Sequence, residues 1–105
     1  MSQDADIAKL VGRFAAMRAL AAKAVQENPN DARALFGAAR AYRISGDYEG
    51  ALAQLQRLCR LEPNNTHYLH ELGLTQEYFG RFDEAISNYK AALKEQSELL
   101  EKYTE

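Results

Sequence analysis

Two imidazoles three residues apart are the first place to look for chemistry in this chain, since His67 and His70 would share one helix face with Glu71 beside them. Such a pair offers a metal two nitrogen ligands, and no third ligand stands near it in sequence. The His-Glu-x-x-His order, in which a carboxylate between two ligands serves as general base, is absent from the sequence. The pair reads instead as two polar groups lining a surface groove. Cys59 is the only cysteine, so no internal disulfide can form, and it reads as a small apolar residue on a packed helix. Serine, histidine and aspartate all occur, but in no arrangement that would serve nucleophilic catalysis. Gly73 and Gly80 read as packing and turn residues, not as a phosphate-cradling loop, because no strand precedes them. Neither an enzymatic activity nor a cofactor is expected.

What positions these side chains is a period. Gly80-Arg81-Phe82-Asp83-Glu84-Ala85 is echoed 34 residues upstream by Gly46-Asp47-Tyr48-Glu49-Gly50-Ala51, and another 34 before that by Gly12-Arg13-Phe14. Pro29-Asn30 and Pro63-Asn64 keep the same spacing, so a second set of punctuation marks agrees on the register. A fixed period of this length means stacked helical repeats.

On these residues the chain resembles the tetratricopeptide repeat (TPR) family. The first full repeat reads Leu35-x-x-Ala38-Ala39-x-x-Tyr42, then Ala51-x-x-x-Leu55, then Pro63. The second reads Leu69-x-x-Leu72-Gly73-x-x-Gln76, then Ala85-x-x-x-Tyr89. Two positions depart from the family pattern: Gln76 predicts looser packing where it stands, and Ser97, in the place of a proline, removes the usual helix stop. The resemblance implies an all-α fold of antiparallel helix hairpins, a TPR-like α-solenoid fragment. It holds about two and a half repeats and a long C-terminal capping helix. The expected division of a single domain is an N-terminal helix or partial repeat over 1–31, a repeat over 32–65, and a repeat with a helical cap over 66–105.

Composition bounds the same picture. The chain has 105 residues, 47% of them hydrophobic, 27% charged and only two proline, as an ordered single domain should. Eighteen alanines favour helices and their close approach. A net charge of −2 supplies no basic field for nucleic acid. Asp4 and Asp6 stand where a secretory signal would carry positive charge, and no stretch is apolar enough to span a membrane, so a cytoplasmic location is expected.

Along the chain, Ile7, Leu10, Phe14, Met17, Ala21 and Ala24 form one stripe, which predicts a continuous helix over 4–27. The repeat register would instead make Gly12 a turn, and the stripe alone could seed a coiled-coil dimer. Further helices are predicted over 32–45, 48–61, 66–79 and from Phe82 to about Lys102, with Asp31, Asp47 and Asn65 as caps. Leu35, Ala38, Ala39, Tyr42, Ala51, Leu55 and Leu58 should be buried, and Ile86, Tyr89, Leu93 and Leu100 should point inward on the last helix. Lys94, Glu98 and Lys102 should form a solvated face there.

In the family, the first helix of each repeat lines a concave groove that holds a peptide or partner helix. The resemblance carries that role to Arg33, Phe36, Arg40, Arg43 and Ile44, and then to His67, His70, Leu74, Glu77 and Tyr78. Three arginines with aromatic and aliphatic neighbours suit an acidic segment bearing an apolar anchor. The Lys and Asn clamp with which some members hold chaperone C-termini has no counterpart, because Phe36 and Arg40 occupy its positions. The function implied is a non-catalytic protein-interaction module. A small secretion or assembly chaperone and a self-assembling structural repeat, a homo-oligomer, are the alternatives.

Overall fold

The computed structural model describes residues 2–104, and five helices make up its secondary structure: α1 (Ser2–Glu27), α2 (Ala32–Ile44), α3 (Tyr48–Leu61), α4 (Thr66–Tyr78) and α5 (Phe82–Thr104). Met1 and Glu105, the outer limits of the expected first and last segments, lie outside the described residues. Every helix lies within two residues of its predicted bounds. The reasons are local. Asp31 accepts from the Arg33 amide, Asp47 from the Gly50 amide and Asn65 from the Tyr68 amide at 2.9–3.1 Å, which satisfies first-turn donors that have no partner inside the helix.

The reversals after α2 and α4 use one device twice. Gly46 and Gly80 take φ of +85° and +74°, and each lets the following amide reach back to a carbonyl five residues earlier. Asp47 donates to the Tyr42 carbonyl at 2.7 Å and Arg81 to the Gln76 carbonyl at 2.9 Å. Gly12, at the same register position, lies inside unbroken α1. The stripe reading therefore prevails over the register reading. An isolated glycine costs a helix only ~1 kcal/mol, less than the backbone hydrogen bonds it would break by turning.

The chain packs as two compact units, Met1–Gln54 and Leu55–Glu105. In the first, α2 packs on the second half of α1, and Ala21, Leu35, Ala38, Ala39, Ala51 and Leu52 are buried. In the second, α4 and α5 pack antiparallel, and Leu55, Leu58, Leu69, Leu72, Ala85 and Ala92 are buried. Leu35 and Leu58 are fully buried, each contributing about 1.5–3 kcal/mol of apolar transfer. Tyr42 is only half-buried.

Two expectations need correction. Ile86, Leu93 and Leu100 are exposed on α5, and the packed face is made by Ala85, Asn88, Tyr89 and Ala92. Small side chains let α4 and α5 approach closely, which turns the larger aliphatics out. Gln76 does not loosen its surroundings: at 4% exposure its Nε2 donates to Glu84 at 3.2 Å, and its Oε1 accepts from the Asn88 amide at 2.6 Å. Both ends of the buried amide are satisfied. The absence of proline at Ser97 has the expected result, since α5 runs through it to Thr104. Cys59 is half-buried, and burial pushes its thiol up to about 11, away from the reactive thiolate.

Candidate partner-binding surface

At about 100° of turn per residue, Arg33, Phe36, Arg40, Arg43 and Ile44 fall on one arc of α2. Their counterparts one period on, His67, His70, Leu74, Glu77 and Tyr78, fall on the same arc of α4. Nine of the ten are exposed, and Phe36 is half-buried. The inner faces of both helices are set by Leu35, Ala38 and Ala39 and by Leu69, Leu72 and Gly73, so the arcs point away from the packed side.

On α2 the arc is cationic with an aromatic floor. The Arg40 guanidinium lies 6.0 Å from the centroid of the Phe36 ring, a cation–π approach that holds its charge near the apolar surface. Arg33 stands at the edge of the arc and also lines an apolar groove between α1 and α2. Ile44 is more than half exposed at the far end. A carboxylate anchored here would meet guanidinium forks beside an apolar patch.

On α4 the arc divides. Tyr78 is 61% exposed and meets Phe79 edge-on, with ring centroids 5.3 Å apart. Glu77 accepts a hydrogen bond from the Tyr89 hydroxyl of α5 at 2.8 Å, so its carboxylate is turned toward its own unit. Burial, this bond, and the charges of Glu77 and Glu71 push the Tyr89 phenol up to about 12. His70 faces the same ring at 5.7 Å and leads into a cleft of about 330 Å³ lined by Thr66, His70, Tyr89, Ala92, Leu93 and Gln96. His67 lies outside that lining and neighbours Tyr68 at 6.2 Å. No group of three potential metal ligands occurs among the described residues.

Sequence reasoning missed Thr66, Tyr89, Leu93 and Gln96 as parts of this surface. Leu93 reads as core by residue type, and Tyr89, which packs against Gly73 as expected, also lines the cleft. Their signal lay in the antiparallel pairing of the two helices, which sets Gln96 across from Thr66 and Tyr89 across from Gly73. Among the described residues no helix is long and apolar enough to cross a membrane.

Comparison with known proteins agrees with this geometry. Three family models match the chain: tetratricopeptide repeat over residues 20–53, TPR repeat over 39–77, and tetratricopeptide repeat over 66–98. Superkiller complex protein 3 of Mus musculus is 28% identical over 71 residues, which is 68% of this chain and 4% of that protein. The chain therefore spans a small part of that relative's length. The solved structure of MamA MSR-1 C2 superposes with a TM-score of 0.71 at 20% identity, over 85% of this chain and 51% of that one, a likeness of fold. The 34-residue register, the paired glycine turns and these matches together place the chain in the tetratricopeptide repeat family.

Proposed function

We propose that the chain is a non-catalytic protein-interaction module whose first helices, α2 and α4, present their outer arcs to a peptide or partner helix. The carrying observation is the repetition of one exposed arc at one register on both helices, cationic on α2 and aromatic and aliphatic on α4. An acidic segment suits Arg33, Arg40 and Arg43, while an apolar anchor suits Leu74, Tyr78 and the cleft beside His70. Glu77 is occupied by Tyr89, and the arginines of α2 are what suit an acidic segment. The net charge of −2 favours a protein partner over nucleic acid.

Binding kinetics test this reading with partners captured from the source lysate. Arg40→Glu with Arg43→Glu should leave helicity intact, because both side chains are exposed, yet slow association and reverse its salt dependence. Tyr78→Ala should instead speed dissociation. Unchanged low-salt affinity in the double variant rejects the α2 arc as the site. A client-shielding chaperone is the second reading, favoured by exposed Phe82, Ile86 and Leu93 on α5. It requires strong stabilisation by one hydrophobic client, where the module reading requires a well-behaved chain that binds short peptides weakly.

A further inference from the structure

Gly12 falls one period before Gly46 and two before Gly80, yet it alone of the three does not turn the chain. Residues 2–11 extend α1 instead of folding back along residues 13–27. Three side chains register the consequence. Ile7, Val11 and Leu20 are 54%, 58% and 68% exposed. Their counterparts are buried or half-buried throughout: Ala41 and Thr75 for Ile7, Ser45 and Phe79 for Val11, Gln54 and Asn88 for Leu20. Beside Leu20 an apolar groove of about 340 Å³ opens between α1 and α2, floored by Met17, Ala21, Gly37, Ala38 and Ala41.

We propose that this groove is the empty seat of a first helix, and that residues 2–11 of a second copy of this chain fill it, each copy serving the other. The contacts of the closed repeats say how the segment would lie. Tyr42 packs over Gly50, and one period earlier the same positions are Ala8 and Ala16. The Gln76–Glu84 hydrogen bond, carried back two periods, gives the same pair, so both units agree. Gly73 against Tyr89 becomes Ala5 against Ala21, and Gln76 with Asn88 becomes Ala8 with Leu20. Each pair is small or apolar, as close helix approach requires.

These pairs centre on Arg13, next to Gly12. Two α1 helices running antiparallel about a twofold axis there fill both grooves at once, a closed exchange that needs no contact beyond those a folded hairpin would make. Charge agrees with the direction. The incoming segment brings Asp4 and Asp6, while Arg33 lines the groove and Lys23 flanks Leu20. Ten residues make a helix of about 15 Å, long enough to cover the seat.

Sedimentation velocity over a concentration series and disulfide trapping test the proposal on the full chain. In a Cys59→Ser background, Ala8→Cys and Ala16→Cys proteins are prepared separately, then mixed and oxidised; both sites are exposed, so neither change disturbs the fold. A concentration-dependent dimer is expected, together with a cross-linked dimer in the mixture that neither protein forms alone. Leu20→Asp should raise the dimer dissociation constant at least about tenfold without loss of helicity, because the side chain is exposed in the single chain. A monomer at every concentration overturns the proposal. So does a dimer that Leu20→Asp leaves intact, or a chain carrying both cysteines that closes its disulfide within one monomer.

Discussion

The two helical reversals solve the same packing problem from opposite sides. Before Gly46 and after it, a tyrosine of the first helix, Tyr42, lies over a glycine of the second, Gly50, whose added Cβ would sit 2.8 Å from the ring. Around Gly80 the roles are exchanged at another level: Gly73 is on the first helix and Tyr89 on the second, with a Cβ at 2.5 Å. Where the first reversal has Tyr42 and Gly50, the second has Gln76 and Glu84 joined by a hydrogen bond. The period conserves where the helices touch, while the large and small partners, and even the polarity of the contact, are permuted. In these two reversals it is the combined volume at the contact that stays similar.

The largest break in that comparison should come from Gln76→Ala. It leaves a cavity and strips Asn88 and Glu84 of a partner at a 4% exposed position, for a loss of about 2–3 kcal/mol in chemical denaturation. A loss below about 0.5 kcal/mol would show the amide bonds to be dispensable.

The two glycines give the next effect. Gly73→Ala should cost about 1–2 kcal/mol even after alanine's helix advantage, because Tyr89 is pinned by Glu77 and by the His70 ring. Gly50→Ala should cost about 1 kcal/mol, since half-buried Tyr42 has room to yield. Adding Tyr89→Leu to Gly73→Ala brings in the residue types that the sequence carries one period earlier, and should recover part of the loss by removing the ring. A thermal melt with the reverse ranking would contradict the account of which ring is held.

How much of this was legible in sequence follows from how local each cause is. Asp31, Asp47 and Asn65 cap within three residues of themselves, and Gly46 and Gly80 turn the chain by their own backbone freedom, so the helix ends could be read. Gln76 could not be read, because its burial depends on Glu84 and Asn88 eight and twelve residues away on another helix. The inward face of α5 was misread for a different reason. Ile86, Leu93 and Leu100 read as core by type, whereas repeat register singles out Ala85 and Tyr89. The surface arcs of α2 and α4 followed from register, but the link from Tyr89 to Glu77 and the cleft beside His70 required the pairing of α4 with α5.

A further effect is alkaline. The Tyr89 phenol is raised from its ordinary 10.0 to about 12, so the folded chain holds that proton more tightly than the unfolded one. Its contribution is complete below pH 10 and is lost as pH rises through the window to about 12. Stability measured across that window should fall, and Tyr89→Phe should flatten the fall only in part, because burial and Glu62 raise Tyr68 as well. An unchanged slope in Tyr89→Phe would place the titration elsewhere.

The functional claim rests on the two arcs, and residue-resolved chemical-shift mapping with a short acidic peptide carrying a phenylalanine anchor tests it most directly. Perturbations are expected to concentrate at Arg33, Phe36, Arg40, Arg43 and Ile44 for the acidic residues, and at His70, Leu74 and Tyr78 for the anchor. They should weaken as salt rises on α2 and persist on α4. Perturbations gathered instead around Phe14 on α1, with the arcs silent, would contradict it.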